Sequence, residues 1–89
     1  MTYTLNISSE ADEKFKKLTK KNPKQLEIIN KKIKQIQEFP QHFKPLSYAM
    51  KGIRRVHIDK SFVLTFEIDE QNKIVRVLDY DHHNKTYKR

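Results

Sequence analysis

Cysteine is absent, so the chain holds no disulfide framework and offers no thiolate as nucleophile or metal ligand. Glycine occurs once, at Gly52, and no internal repeat is present. That excludes a glycine-rich phosphate loop or dinucleotide fingerprint, and nucleotide-dependent chemistry with them. The serines sit at helix caps, loops and turns, without the strand–turn–helix elbow of a serine hydrolase. No apolar run is long enough to span a bilayer and no signal-like block follows Met1, so the expected setting is cytoplasmic, without a membrane partner. Acidic residues are scarce: 11 Asp and Glu face 19 Lys and Arg, giving a net charge of +8 and a pI near 9.8. Such a balance suits phosphate backbones, acidic proteins or anionic surfaces as partners and says nothing of the fold. Eighty-nine residues allow one domain, residues 1–89, whose folding buries only about 60 to 65% of the unfolded surface.

What is there falls into a clear order. Tyr3, Leu5 and Ile7 alternate with polar residues as in a short strand. Ser9 is a candidate N-cap with Asp12 at the third helical position, and Ala11, Phe15 and Leu18 form an apolar stripe on a helix from about Glu10 to Lys20. Its other faces carry Glu13, Lys14, Lys16 and Lys17, most simply a solvated surface. Asn22-Pro23 restarts the chain with a cap and a first-turn proline, and Gln25 completes a capping-box-like spacing. Leu26, Ile29, Ile33 and Ile36 mark a second helix ending near Phe39, before Pro40. From Gln41 to Met50 no period holds, and a loop is expected.

Three strands follow. In Arg54-Arg55-Val56-His57-Ile58 the apolar pair Val56 and Ile58 alternates with Arg55 and His57, so one face is buried and the other carries a cation and an imidazole. Asp59-Lys60-Ser61 reads as a hairpin turn into Phe62, Leu64, Phe66 and Ile68 at period two. Asp69-Glu70-Gln71-Asn72 turns into a third run, Lys73 to Tyr80. The expected class is α+β: an N-terminal strand, an antiparallel two-helix hairpin and a three-stranded antiparallel meander, in one sheet with helices on one face.

The histidines invite a metal reading, with His82-His83 joined by His42 and His57. Neighbouring strand residues point to opposite faces, so no metal site and no cofactor is expected. Metal-free phosphodiester cleavage of RNA suits the residues better. It needs a base for the ribose 2′-hydroxyl, cations for the charge building on phosphorus and an acid for the leaving 5′-oxygen. Histidine serves as base and acid near neutrality, arginine and lysine as the cations, and an aromatic such as Tyr87 stacks on an unpaired base. The plain alternative leaves His57 on a polar sheet face, Arg54 and Arg55 in solvent and Tyr87 at a sheet edge.

The segment Lys51 to Phe66 resembles the central strand pair of the RelE/ParE superfamily of small toxins, and Asp81-His82-His83-Asn84-Lys85-Thr86-Tyr87 resembles its C-terminal strand and tail. The resemblance implies a RelE-like fold and a ribonuclease that cleaves mRNA in the ribosomal A site, held in check by a cognate RelB-like antitoxin. Many members carry an arginine where Val63 stands and another where His83 stands. Here the pattern is similar to the YafQ branch, which works with histidines. By that likeness His57 and His83 match pocket histidines and Tyr87 a C-terminal aromatic. Phe62 matches a strand aromatic, Ser61 stands at an aspartate position, and Lys44 stands at another histidine position. The implied catalytic set is His83, His57, Arg55 and Tyr87, and the implied RNA-binding set is Lys44, Arg54, Phe62, His82 and Lys85. The alternatives are a ParE-like toxin that inhibits DNA gyrase by contact, and a basic nucleic-acid-binding module without activity.

Overall fold

A computed structural model describes residues 2–43 and 52–82. Strand β1 (Thr4–Ile7) leads directly into helix α1 (Ser9–Lys21), and α2 (Pro23–Glu38) follows after one residue. A short 3-10 turn (Pro40–His42) closes that half. Strands β2 (Ile53–Ile58), β3 (Phe62–Asp69) and β4 (Ile74–His82) then form the antiparallel meander. The sheet order is β1-β4-β3-β2, with β1 parallel to β4. The α+β layout expected from the sequence is the one observed.

Local chemistry sets the helix ends. Ser8, one residue earlier than the sequence pattern suggested, caps α1: its Oγ accepts the Ala11 N–H at 3.1 Å and donates to the Leu78 carbonyl at 2.6 Å. A single hydroxyl thereby starts the helix and ties it to β4. Asn22 caps α2 as expected, its Oδ1 accepting the Gln25 N–H at 3.2 Å, with Pro23 at the first position. The Gln25 side chain does not complete a capping box. It is buried, and its Nε2 donates to the Tyr80 hydroxyl at 2.7 Å. Burial pushes the Tyr80 pKa up, against the opposing effect of that hydrogen bond.

Such a pair is costly to halve. Tyr80→Phe leaves a buried amide without its acceptor and should cost about 1 to 3 kcal/mol, whereas adding Gln25→Met should recover most of that loss. Chemical denaturation of the two variants checks this, and a double variant no more stable than the single one would count against it.

The core lies between the helices and one sheet face. Ala11, Phe15, Ile29, Ile33 and Ile36 meet Val56, Ile58, Leu64, Phe66, Val75, Val77 and Tyr80. Both hairpins turn without glycine. Asp59 and Lys73 take the left-handed conformation, at φ 57° and 55°. Aspartate tolerates that region well, and lysine at a cost of about 1 kcal/mol. The second turn is tied down locally. Asp69 accepts the Asn72 N–H at 3.1 Å, and Glu70 accepts the Tyr3 hydroxyl at 2.7 Å and a Gln41 amide, which hold its pKa below the ordinary value.

Strand β4 contains a bulge. Thr65 pairs with Asp79 but Phe66 pairs with Val77, so Leu78 is an extra residue. Strict alternation from Val75 and Val77 would have driven Asp79 and Asp81 into the core. The bulge switches the parity, so Tyr80 joins the core and both carboxylates turn to the opposite face.

Candidate functional site

The sheet face away from the helices carries the candidate site. On β2 it presents Arg55 and His57, because Val56 and Ile58 occupy the core side. Register extends two rows across three strands: Arg55, Thr65 and Asp79 form one, and His57, Val63 and Asp81 the next. Adjacent strands stand about 5 Å apart, so the ends of each row are about 10 Å apart. His57 is exposed and Arg55 half-buried. The middle of the face is closed: Val63 is 1% exposed and Thr65 9%, although neither faces the helix layer.

The carboxylates at the far side are already engaged. Lys14 of α1 reaches around the β4 edge, its Nζ at 2.8 Å from Asp79 and 3.0 Å from Asp81. Burial pulls the Lys14 pKa down, but the two hydrogen bonds and the two negative charges outweigh it and leave the pKa above the ordinary lysine value. Asp79 Oδ1 also accepts the Tyr80 N–H at 2.8 Å, just past the bulge. In the row on the other side of Arg55, formed by Ile53, Glu67 and Arg76, Arg76 pairs with Glu67 at 2.8 Å.

Of the residues singled out from sequence, Arg55 and His57 are brought together on this face. Arg54, Phe62 and His82 are not on it. Arg54 shares the helix side with Val56, and its Nη1 donates to the Phe43 carbonyl at 2.6 Å, anchoring the end of the 3-10 turn. Phe62 stacks on Tyr80 with centroids 5.1 Å apart and planes 13° apart, and His82 meets Phe62 edge-on at 5.6 Å. These three belong to the packed side of the sheet because the helix-facing parity of β2, β3 and bulged β4 includes them. His42, on the 3-10 turn, stands edge-on to Phe43. His83, Tyr87, Lys44 and Lys85 lie outside the described residues.

Sequence reasoning missed Lys14, Asp79 and Asp81. Lys14 read as solvated helix surface, and nothing in the spacing announces a contact with β4, 65 and 67 residues further on. The usable signal was Asp79 and Asp81 falling in phase with Val75 and Val77, a pattern that requires either buried carboxylates or a bulge.

The layout is two helices on one face of a sheet whose first strand lies parallel beside its last, with a histidine and an arginine on the helix-free face. Comparison with known proteins gives its family. Residues 5–87 match the family model described as ParE toxin of type II toxin-antitoxin system, parDE. The chain is 44% identical to the putative toxin RelE4 of Methanocaldococcus jannaschii, over 98% of this chain and 93% of that one. It is 55% identical to an uncharacterized protein of Methanosarcina mazei, over 96% of this chain and 99% of that one. Among solved structures it is similar to the RelBE2 toxin-antitoxin complex of Mycobacterium tuberculosis. The TM-score is 0.76 at 23% identity, with 92% of this chain and 99% of that one covered, a likeness of fold. The chain belongs to the ParE toxin family of type II toxin-antitoxin systems, within the RelE/ParE superfamily.

Proposed function

We propose that this toxin is an endoribonuclease that cleaves mRNA in the ribosomal A site and so stops translation. The observation that carries the reading is the shared, helix-free face of β2, where exposed His57 stands one alternation from Arg55. In the proposed reaction a base removes the 2′-hydroxyl proton, and the 2′-oxygen attacks phosphorus. The bond to the 5′-oxygen breaks, with an acid returning a proton to it, which leaves a 2′,3′-cyclic phosphate and a 5′-hydroxyl. His57 and His83 are the proton-exchanging pair, Arg55 stabilises the charge on the phosphorane oxygens, and Tyr87 stacks on a base. Lys44 and Lys85 add phosphate contacts. Arg54, Phe62 and His82 support the site through packing from the other side of the sheet.

An acidic, RelB-like antitoxin is the proposed partner. The net charge of +8 fits a partner of opposite sign, and the RelBE2 relative of known fold was solved as a toxin-antitoxin complex. The family model's ParE description favours the second reading, in which the fold inhibits DNA gyrase by contact. Two assays on the purified toxin decide between them. Cleavage of mRNA on programmed ribosomes, with gyrase supercoiling unaffected, is the expected result. Arrested supercoiling with intact mRNA would reverse the assignment, and steeply salt-dependent RNA binding without either effect would leave a basic binding module.

A further inference from the structure

We propose that Lys14 is a positioning residue of the site, offsetting one of the two negative charges of Asp79 and Asp81 so that the helix-free sheet face accepts an anionic RNA; this rests on the nuclease reading. Asp79 and Asp81 sit at the far ends of the rows that begin with Arg55 and His57. Strand β3 lies between them, so two strand spacings, about 10 Å, separate them, close to one Debye length at physiological salt. Between them Thr65 and Val63 are buried, while the carboxylates stay partly in water, 41% and 26% exposed, so their field is damped but still reaches across the row. Left alone, the two carboxylates would repel the phosphates that Arg55 is placed to attract.

The fold makes these carboxylates hard to avoid and Lys14 able to reach them. Asp79 accepts the Tyr80 N–H beside the bulge, so its carboxylate satisfies a backbone donor there. Strand β1 ends at Ile7, opposite Val77, so among the described residues no strand pairs with the β4 edge beyond that point. Helix α1 begins there, pinned by Ser8 to Leu78, and Lys14 lies far enough along it for its ammonium to bridge both carboxylates. The high pKa of Lys14 keeps the ammonium charged throughout the physiological range.

The test is mRNA cleavage on programmed ribosomes as a function of ribosome concentration, for wild type, Lys14→Arg, Lys14→Met, Asp79→Asn/Asp81→Asn, and the triple variant. Lys14→Met should raise the half-saturating concentration about fivefold with the limiting rate within about twofold, and Lys14→Arg should stay close to wild type. Asparagine at 79 keeps the acceptor for Tyr80, so the triple variant should return to wild-type half-saturation or below. A merely structural role predicts the opposite for the triple variant, which has no ion pair at all. Should Lys14→Met fail to fold, Asp79→Asn/Asp81→Asn with Lys14 retained carries the test and should bind about two- to fivefold tighter than wild type. Unchanged half-saturation in Lys14→Met, an unrescued triple variant, or weaker binding by the double variant each overturns the proposal. If wild-type toxin leaves mRNA intact, the nuclease reading falls and takes this one with it.

Discussion

Replacing His57 by glutamine should lower mRNA cleavage on programmed ribosomes by 10²- to 10⁴-fold, the usual worth of a general acid or base. That is roughly 3 to 5 kcal/mol of barrier. The same change should move stability by no more than about 0.5 kcal/mol, because the side chain is exposed on the helix-free face, away from the helix-side core. The two magnitudes separate chemistry from structure. Under the proposal His83→Gln behaves the same way, since it is the other half of the proton-exchanging pair. His82→Gln should show the reverse pattern. Its ring packs edge-on against Phe62 at 5.6 Å, on the side away from His57, so its loss should cost about 0.5 to 1.5 kcal/mol of stability and little activity. Single-turnover cleavage and thermal melts on all three variants check the set. A His57→Gln variant that cleaves at the wild-type rate removes the β2 face from the chemistry, and an inactive but stable His82→Gln would move the site to the packed side of the sheet.

Elements with a strong period were legible in the chain, and elements fixed by distant partners were not. The alternation of Val56 and Ile58 with Arg55 and His57 named both faces of β2 correctly, since a strand's period leaves no freedom once one face is buried. The seam of Ile29, Ile33 and Ile36 likewise fixed the buried side of α2. By contrast, likeness to a strand aromatic of the family points Phe62, and its charge points Arg54, toward RNA. Their parity places them with Val56 and Leu64, where Arg54 holds a carbonyl and Phe62 joins an aromatic stack. Gln25 illustrates a different failure: its position at the start of a helix suggested a local cap, yet a tyrosine 55 residues away claimed the side chain. Helix-end rules weigh only local partners, and a buried phenol 55 residues away offers the Gln25 amide a better-protected one. Leu78 was invisible for a third reason. A bulge adds one residue to one strand, and its only mark in the chain is that the residues after it make sense in the wrong phase.

The largest effect on stability should come from Phe66. It is fully buried at the middle of β3, in the core cluster with Ile29, Ile36, Val56 and Val77, and the Phe43 ring meets it edge-on at 5.9 Å. Phe66→Ala removes that burial and leaves a cavity that the paired strands on both sides of β3 prevent from collapsing. The expected loss is about 3 to 5 kcal/mol. Small domains are held together by about 5 to 15 kcal/mol, and each kcal/mol is worth about 4 to 8 °C at this size, so the midpoint should fall by roughly 12 to 40 °C. Phe39 provides the control. It is an equally large aromatic at the end of α2, but 67% exposed, and Phe39→Ala should change stability by about 0.5 kcal/mol or less. Thermal melts of the two variants without antitoxin make the comparison. A Phe66→Ala variant within about 1 kcal/mol of wild type would mean that the helix hairpin and the sheet are not joined through this residue. In that case His57 on β2 would owe its exposure to something other than the burial of the opposite side.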